Sequence, residues 1–185
     1  MMQKILDAWY RHEGNYSDSI KDRFMVSPIR ISEAQAVVRT NHYLHRQAPC
    51  SYAFGLADMQ SCDVVGVIMY GIPASKSLVE SICGKEESKN VIELTRLWIK
   101  DETPKNIESW FIGQTIKKIP FDIVVSFADP TVGHEGTIYK ASNFIYLGLS
   151  AKRTDLRTED TMDKHSRLLF DRHGTSEEIK RLHPN

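Results

Sequence analysis

Apolar residues in this chain fall in short runs divided by charged and turn-forming residues, and the period of each run predicts an element. Ile5, Leu6, Trp9 and Tyr10 fit one face of a short helix over residues 1–12. The polar stretch HEGNYSDSIKDRF then leads to a first strand at 26–30. In ISEAQAVVRTNHYLHR (31–46), Ile31, Ala34, Val37 and Val38 recur at helical spacing, with Ser32 as the expected cap. YAFGLAD (52–58) and CDVVGVIMYGI (62–72), joined by a short polar link, predict a hairpin. ASKSLVESICG (74–84) reads as a helix closed by Gly84, and VIELTRLWIK as a further strand. DETPKNIESWFIGQTIKKI (101–119) carries helix punctuation: Thr103 to cap, Pro104 at the first position, Lys117 and Lys118 at the far end. FDIVVSFAD (121–129) predicts a buried strand, HEGTIYKASN one or two helical turns, and FIYLGLSA (144–151) a last strand.

Helix, hairpin, strand, helix, strand, short helix and strand in that order predict a mixed central sheet flanked by helices, an α/β (α+β layered) domain. Its expected limits are residues 1–151, with 1–26 as a helical lead-in. Residues 152–185 differ: eight basic and seven acidic residues surround one apolar cluster, LLF at 168–170. An arm packed on the domain, a partner-binding extension and an unstructured tail fit this composition equally well. A length of 185 residues suits one domain with a real core. With 24 basic and 24 acidic residues the net charge is zero, so nucleic-acid binding has to come from local charge. Three cysteines, Cys50, Cys62 and Cys83, without a C-x-x-C, argue against a disulfide framework or a zinc knuckle and fit a reducing cytoplasm. The first residues are broken by charges and do not read as a signal peptide. The longest apolar run, 64–72, is far too short to cross a bilayer, and no membrane partner is expected.

Charge inside an apolar strand is where chemistry first suggests itself. NVIELTRLWI (90–99) carries Glu93 and Arg96, whose burial is costly unless they are paired. Regular alternation sends them to opposite faces, Glu93 with Thr95 and Arg96 with Leu94 and Trp98; a bulge would reset this parity. Either each makes a structural ion pair with a neighbouring element, or Arg96 faces a cavity that holds an anion, with Trp98 able to stack on the ligand. SFADPTVGHEGTIYKASNF (126–144) gathers Ser126, Asp129, His134, Glu135, Tyr139, Ser142 and Asn143 beyond a strand end. This is either a well-capped loop or the position where such sheets hold ligands. Asp129, His134 and Glu135 are of metal-ligating type but make no convincing set. NHYLHR (41–46) either caps a helix with cations or lines a mouth that stacks a base and holds its phosphate. There is no G-x-S-x-G elbow, P-loop, G-x-G-x-x-G or H-E-x-x-H.

Taken in order, ISEAQAVVRTNHYLHR, ELTRLW, ESWFIGQTIK and VVSFADPTVGHEGTIYKASNFIYLG resemble the Mom family of phage DNA-modification proteins, over roughly residues 27–151. The resemblance implies an acyltransferase-like (GNAT-like) fold. It also implies a phage-encoded transferase of the host cytoplasm that converts adenine in double-stranded DNA to N6-carbamoylmethyladenine, shielding it from restriction. The positions matching the family are His42, Tyr43, Arg96, Ser126, Asp129 and Tyr139. An iron requirement belongs to what the resemblance implies; the donor is unknown, and a homodimer is one of the assemblies left open.

The chemistry says what such a site needs. The N6 amine is a weak nucleophile whose edge is occupied in the duplex, so the base is expected to be flipped out and gripped. Tyr43, Tyr139 and Trp98 are stacking candidates, and Asn143 can read the adenine edge. Asp129 suits a base or an acceptor from the amine, with Ser126 positioning either. Arg30, Arg39, Arg46, Lys152 and Arg153 are available to phosphate. Acetyltransferases cradle the pyrophosphate of acyl-CoA on a glycine-rich loop before a helix. Here DETPKN stands in that place, with two acids and no glycine, which argues against acetyl-CoA. An acyl-CoA-dependent N-acyltransferase of a small amine or protein is the alternative, and a non-catalytic DNA- or protein-binding module the third reading.

Overall fold

The computed structural model describes residues 19–130, 133–150 and Arg181. The helix expected over 1–12 and the tail from 152, Arg181 apart, lie outside the described residues. The chain divides into two units at Ile145/Tyr146; the architecture that follows belongs to the first.

In chain order the elements are α1 (Ile20–Arg23), β1 (Phe24–Pro28), α2 (Ile31–Asn41), β2 (Tyr52–Asp58), β3 (Asp63–Gly71), α3 (Lys76–Glu87), a 3-10 turn (Ser88–Asn90), β4 (Val91–Ile99), α4 (Ile107–Ile116), β5 (Ile123–Val125) and α5 (Thr137–Ala141). The strands form one five-stranded sheet in sequence order. β1 to β4 are antiparallel neighbours, and β5 joins β4 in parallel through three residue pairs, Val91–Ile123 to Glu93–Val125.

Period-two patterning gives each face of the sheet its own core. From β2 and β3, Phe54, Leu56, Ile68 and Tyr70 meet Ile107, Phe111 and Ile112 of α4. Their neighbours Ala53, Val67 and Met69 point the other way, onto Ala34 and Val38 of α2. The result is a helix–sheet–helix sandwich. In the α4 layer the buried Tyr70 hydroxyl and Thr115 Oγ1 are 2.6 Å apart, so the phenol is satisfied inside the core. At the other end of the sheet Arg23 grips the buried Asp58 carboxylate, its Nη2 at 2.7 Å. Among the described residues no helix is long and apolar enough to cross a membrane.

Several expectations need correction. α2 starts at Ile31 behind Arg30, not behind Ser32: the Glu33 carboxylate accepts from the Arg30 backbone N–H at 3.1 Å and also holds its guanidinium. It stops at Asn41 and not Arg46, with His45 turned to φ +46°. Gly84 breaks α3 (φ +81°), but helical turns resume beyond it. α4 begins at Ile107 behind Asn106, and the expected cap Thr103 instead donates to Lys100 O at 3.0 Å. The strand expected over 121–129 shrinks to Ile123–Val125. Residues 144–150 form no strand: Gly148 has φ +102°, and Ile145, Tyr146, Leu147 and Leu149 are exposed.

Candidate active site

β4 is not regular. Met69 pairs with Arg96 and Tyr70 with Leu94, so Thr95 is an extra residue on β4. Its hydroxyl lies 3.0 Å from Pro49 O and 3.2 Å from Met69 O, which ties the bulge to the segment entering β2. The bulge resets the side-chain parity. Ile92 and Leu94 before it, then Leu97 and Ile99 after it, all pack in the α4 core, while Trp98 packs on the α2 side. The expectation that Arg96 shares a face with Leu94 therefore fails. Arg96 sits at the bulge, its Nη1 donating to Thr95 O at 2.6 Å.

Beside the bulge the sheet opens. The β4–β5 ladder ends at Glu93–Val125. The next residue, Ser126, replaces the following ladder bond with its side chain, Oγ donating to Leu94 O at 3.1 Å. From here the chain leaves the sheet through Asp129 and returns as α5, whose N-terminal neighbour Gly136 has the left-handed φ of +72°. α5 brings Tyr139 back beside Ser126, whose hydroxyl tempers its phenol. The Tyr139 ring also packs 5.5 Å from Phe144.

α2 supplies the third wall. Its C-terminal N–H bond, His42 N to Val38 O, fixes the turn that carries His42 and Tyr43. The two rings lie 4.4 Å apart, and Tyr43 meets His134 edge-on at 4.9 Å and 83°. His42 is buried, and its Nδ1 accepts from the Leu44 N–H at 3.2 Å. Tyr43 is 46 % exposed, which leaves one of its sides available.

Electrostatics join these groups. Burial, then the charges of Arg96, His134 and His45, pushes the His42 imidazole down to about 4. Burial raises the Tyr43 phenol and Asp129 raises it further, against Arg96. Burial likewise raises Tyr139, tempered by its bond with Ser126 and by Arg96. Glu93 is raised by burial, against the Ala74 N–H that its Oε2 accepts at 3.0 Å and against Arg96. One guanidinium thus acts on a histidine, two tyrosines and a carboxylate from three different segments.

His42, Tyr43, Arg96, Ser126, Asp129 and Tyr139 therefore converge. Trp98 and Asn143 do not join them. Trp98 packs beside Val67 and Met69, and Asn143 is an exposed turn residue at φ +62° after α5. Sequence reasoning missed His134 as a wall of the site and took Glu93 as structural only. The Gly-flanked HEG motif was the available signal for the first; a carboxylate inside an apolar strand was the signal for the second, read there as a structural ion pair. Iron needs several His, Cys, Asp or Glu side chains converging. Among the described residues no three do so, and His42 Nδ1 is already committed to Leu44, so these residues do not fit an iron centre.

A second hollow of about 330 Å³ lies where β4 runs into α4, lined among others by Ile99, Lys100, Pro104, Asn106, Thr137 and Ile138. Tyr139 leaves α5 roughly opposite Thr137 and Ala141, given about 100° per residue, so α5 stands between this hollow and the cluster.

The fold is that of acetyltransferases. An aminoglycoside acetyltransferase from an uncultured soil metagenomic sample, solved in complex with sisomicin, superposes with a TM-score of 0.50 at 12 % identity, covering 75 % of this chain and 100 % of that one. In sequence, the chain is 32 % identical over 120 residues to methylcarbamoylase mom of Escherichia phage Mu. That alignment takes in 62 % of this chain and 49 % of the relative, so the chain spans about half the length of the curated relative it matches. The Mom protein family matches residues 23–185, which include every described residue of the site just assembled. The chain belongs to the Mom protein family.

Proposed function

We propose that this protein is a transferase that modifies adenine in double-stranded DNA at N6, placing there a carbamoylmethyl group, an isomer of the methylcarbamoyl group in the name of the phage Mu relative, and protecting phage DNA in a host cell. One observation carries the reading: six residues spread from 42 to 139 converge at the place where β4 and β5 part.

The cluster suits a flipped base. Tyr43, half exposed and steadied edge-on by His134, offers a ring face for stacking. Asp129 acts on the Tyr43 phenol and is the carboxylate placed to accept from the exocyclic amine. Arg96 supplies a fixed positive charge for an anionic donor or a charge that grows in the transition state. The Ser126–Tyr139 pair presents a neutral phenol, because burial holds Tyr139 above its ordinary range. The acyl-CoA alternative draws no support from the segment before α4, where Asp101 and Glu102 stand in place of glycines.

The test is direct. DNA from cells expressing the protein is digested to nucleosides and analysed by mass spectrometry. A deoxyadenosine carrying the added mass, absent with Arg96→Ala or Asp129→Ala, is expected. An unchanged nucleoside profile in a phage-competent host refutes the function.

A further inference from the structure

Two histidines lie against Tyr43, and their surroundings differ. His134 is exposed, has no side-chain hydrogen bond among the described residues, and its ring lies T-shaped to Tyr43 at 4.9 Å. His42 is buried against the end of α2, and its Nδ1 is engaged by the Leu44 N–H at 3.2 Å. A nitrogen that accepts a hydrogen bond carries no proton, so the neutral ring must carry its proton on Nε2. Nε2 itself has no protein partner among the described residues, yet it is not among the buried polar atoms sealed away without one. That leaves the Nε2–H of His42 without a partner among the described residues.

We infer that His42 serves as a fixed, uncharged hydrogen-bond donor: its Nε2–H is offered to a carbonyl oxygen of the group transferred to adenine, and it does not act as the general base. The inference rests on the reading of the site as a DNA-modifying transferase and names the work of one residue within it. To serve as a base, a neutral imidazole needs a free lone pair. The one at Nδ1 is occupied by Leu44 and the other nitrogen already bears the proton. A cationic imidazole is disfavoured by burial, by Arg96 from β4, by His134 from the loop before α5 and by His45 on its own segment. A neutral imidazole donor of this kind needs no proton transfer to stabilise charge growing on an oxygen. The task of accepting the amine proton then falls to Asp129 or to the unencumbered His134.

The test has two parts, and the first needs no activity. Long-range proton–nitrogen correlation spectra of histidine-labelled protein report the tautomer of each ring. His42 is expected to show the neutral Nε2–H pattern from pH 8 down to 5.5. An Nδ1–H pattern, or a midpoint near the ordinary ~6.5, overturns the inference whatever the enzyme does. The second part compares His42→Gln, whose amide N–H extends to about the place of Nε2, with His42→Phe, which keeps the ring volume without a donor. Melting curves verify that both are folded. Adenine modification is expected to drop by about 100-fold or more in His42→Phe and to stay within about tenfold of wild type in His42→Gln, with an unchanged pH profile. Equal loss in both variants, or loss of the acid limb of the profile in His42→Gln, overturns the donor role. A wild-type protein that modifies no adenine refutes the proposed function instead, and the spectra still decide the state of His42.

Discussion

Removing the hydroxyl of Ser126 strikes a side chain that ties the parting strands together. Its Oγ donates to Leu94 O at 3.1 Å and acts on the Tyr139 phenol beside it. The bond to Leu94 contributes about 1 kcal/mol net and the interaction with Tyr139 up to about as much, so Ser126→Ala is expected to cost about 1–2 kcal/mol, a fall in Tm of about 2–8 °C for a chain of this size. Tyr139→Phe removes only the second interaction and costs about half as much. In the double variant the shared interaction is lost once, and a urea-denaturation cycle should return a coupling of about 1 kcal/mol. Activity should show the same signature. If the two hydroxyls act as one unit, each single variant loses about 100-fold in adenine modification and the double loses no more than the worse single. Additive stabilities with multiplied losses of rate would refute the Ser126–Tyr139 unit and leave two separate residues in its place.

Two further outcomes probe the frame around the site. A Cβ on Gly71 would overlap the backbone carbonyl of Pro49, and that carbonyl is what Thr95 Oγ1 bonds. Gly71→Ala is therefore expected to destabilise by about 2–4 kcal/mol, overpacking plus the strained hydrogen bond, and wild-type stability in urea would contradict the bulge anchor. At the far end of β2, burial pushes the Asp58 carboxyl up, but the hydrogen bonds and charge of Arg23 more than reverse this and hold it below the ordinary range. A carboxylate with a depressed folded value stabilises above its unfolded value of about 3.9 and loses that stabilisation as the pH falls through the folded one. Thermal melts between pH 7 and 2 should accordingly show a steeper loss below about pH 4 in wild type than in Asp58→Asn, and identical slopes would remove the pair from the acid response.

How much of this was legible in the sequence depended on whether the deciding force was local. The β2–β3 hairpin and the Ala34 and Val38 part of the α2 stripe follow from period and turn residues and appear where expected, while Ile31 is exposed. The start of α4 was misread because Thr103 had a nearer acceptor in Lys100 O. Strand β5 was overestimated because an apolar run says nothing about where its partner turns away. The site residues stood out from charge in a strand, a polar strand end and a helix end, each with a structural reading beside the binding one, and the resemblance chose between them; regular alternation set Arg96 on the face of Leu94, which the bulge changes.

That last error shows why the strand carries a charge at all. In a regular β4, Arg96 would follow Leu94 toward Phe111 and Ile112, and an unpaired guanidinium there would cost several kcal/mol. The alternatives for the sequence are to lose the arginine or to break the strand. It breaks the strand: Thr95 spends its hydroxyl on Pro49 and Met69, 46 and 26 residues away in the chain, and holds one extra residue in β4. No window around residue 95 contains those partners, so the bulge could not be read from the run NVIELTRLWI. The break lets Leu97 and Ile99 return to the core while Arg96 stays among His42, Tyr43, Glu93 and Tyr139. A rule of strand patterning fails at the residue on which the electrostatics of the site converge, as expected where function and local regularity compete.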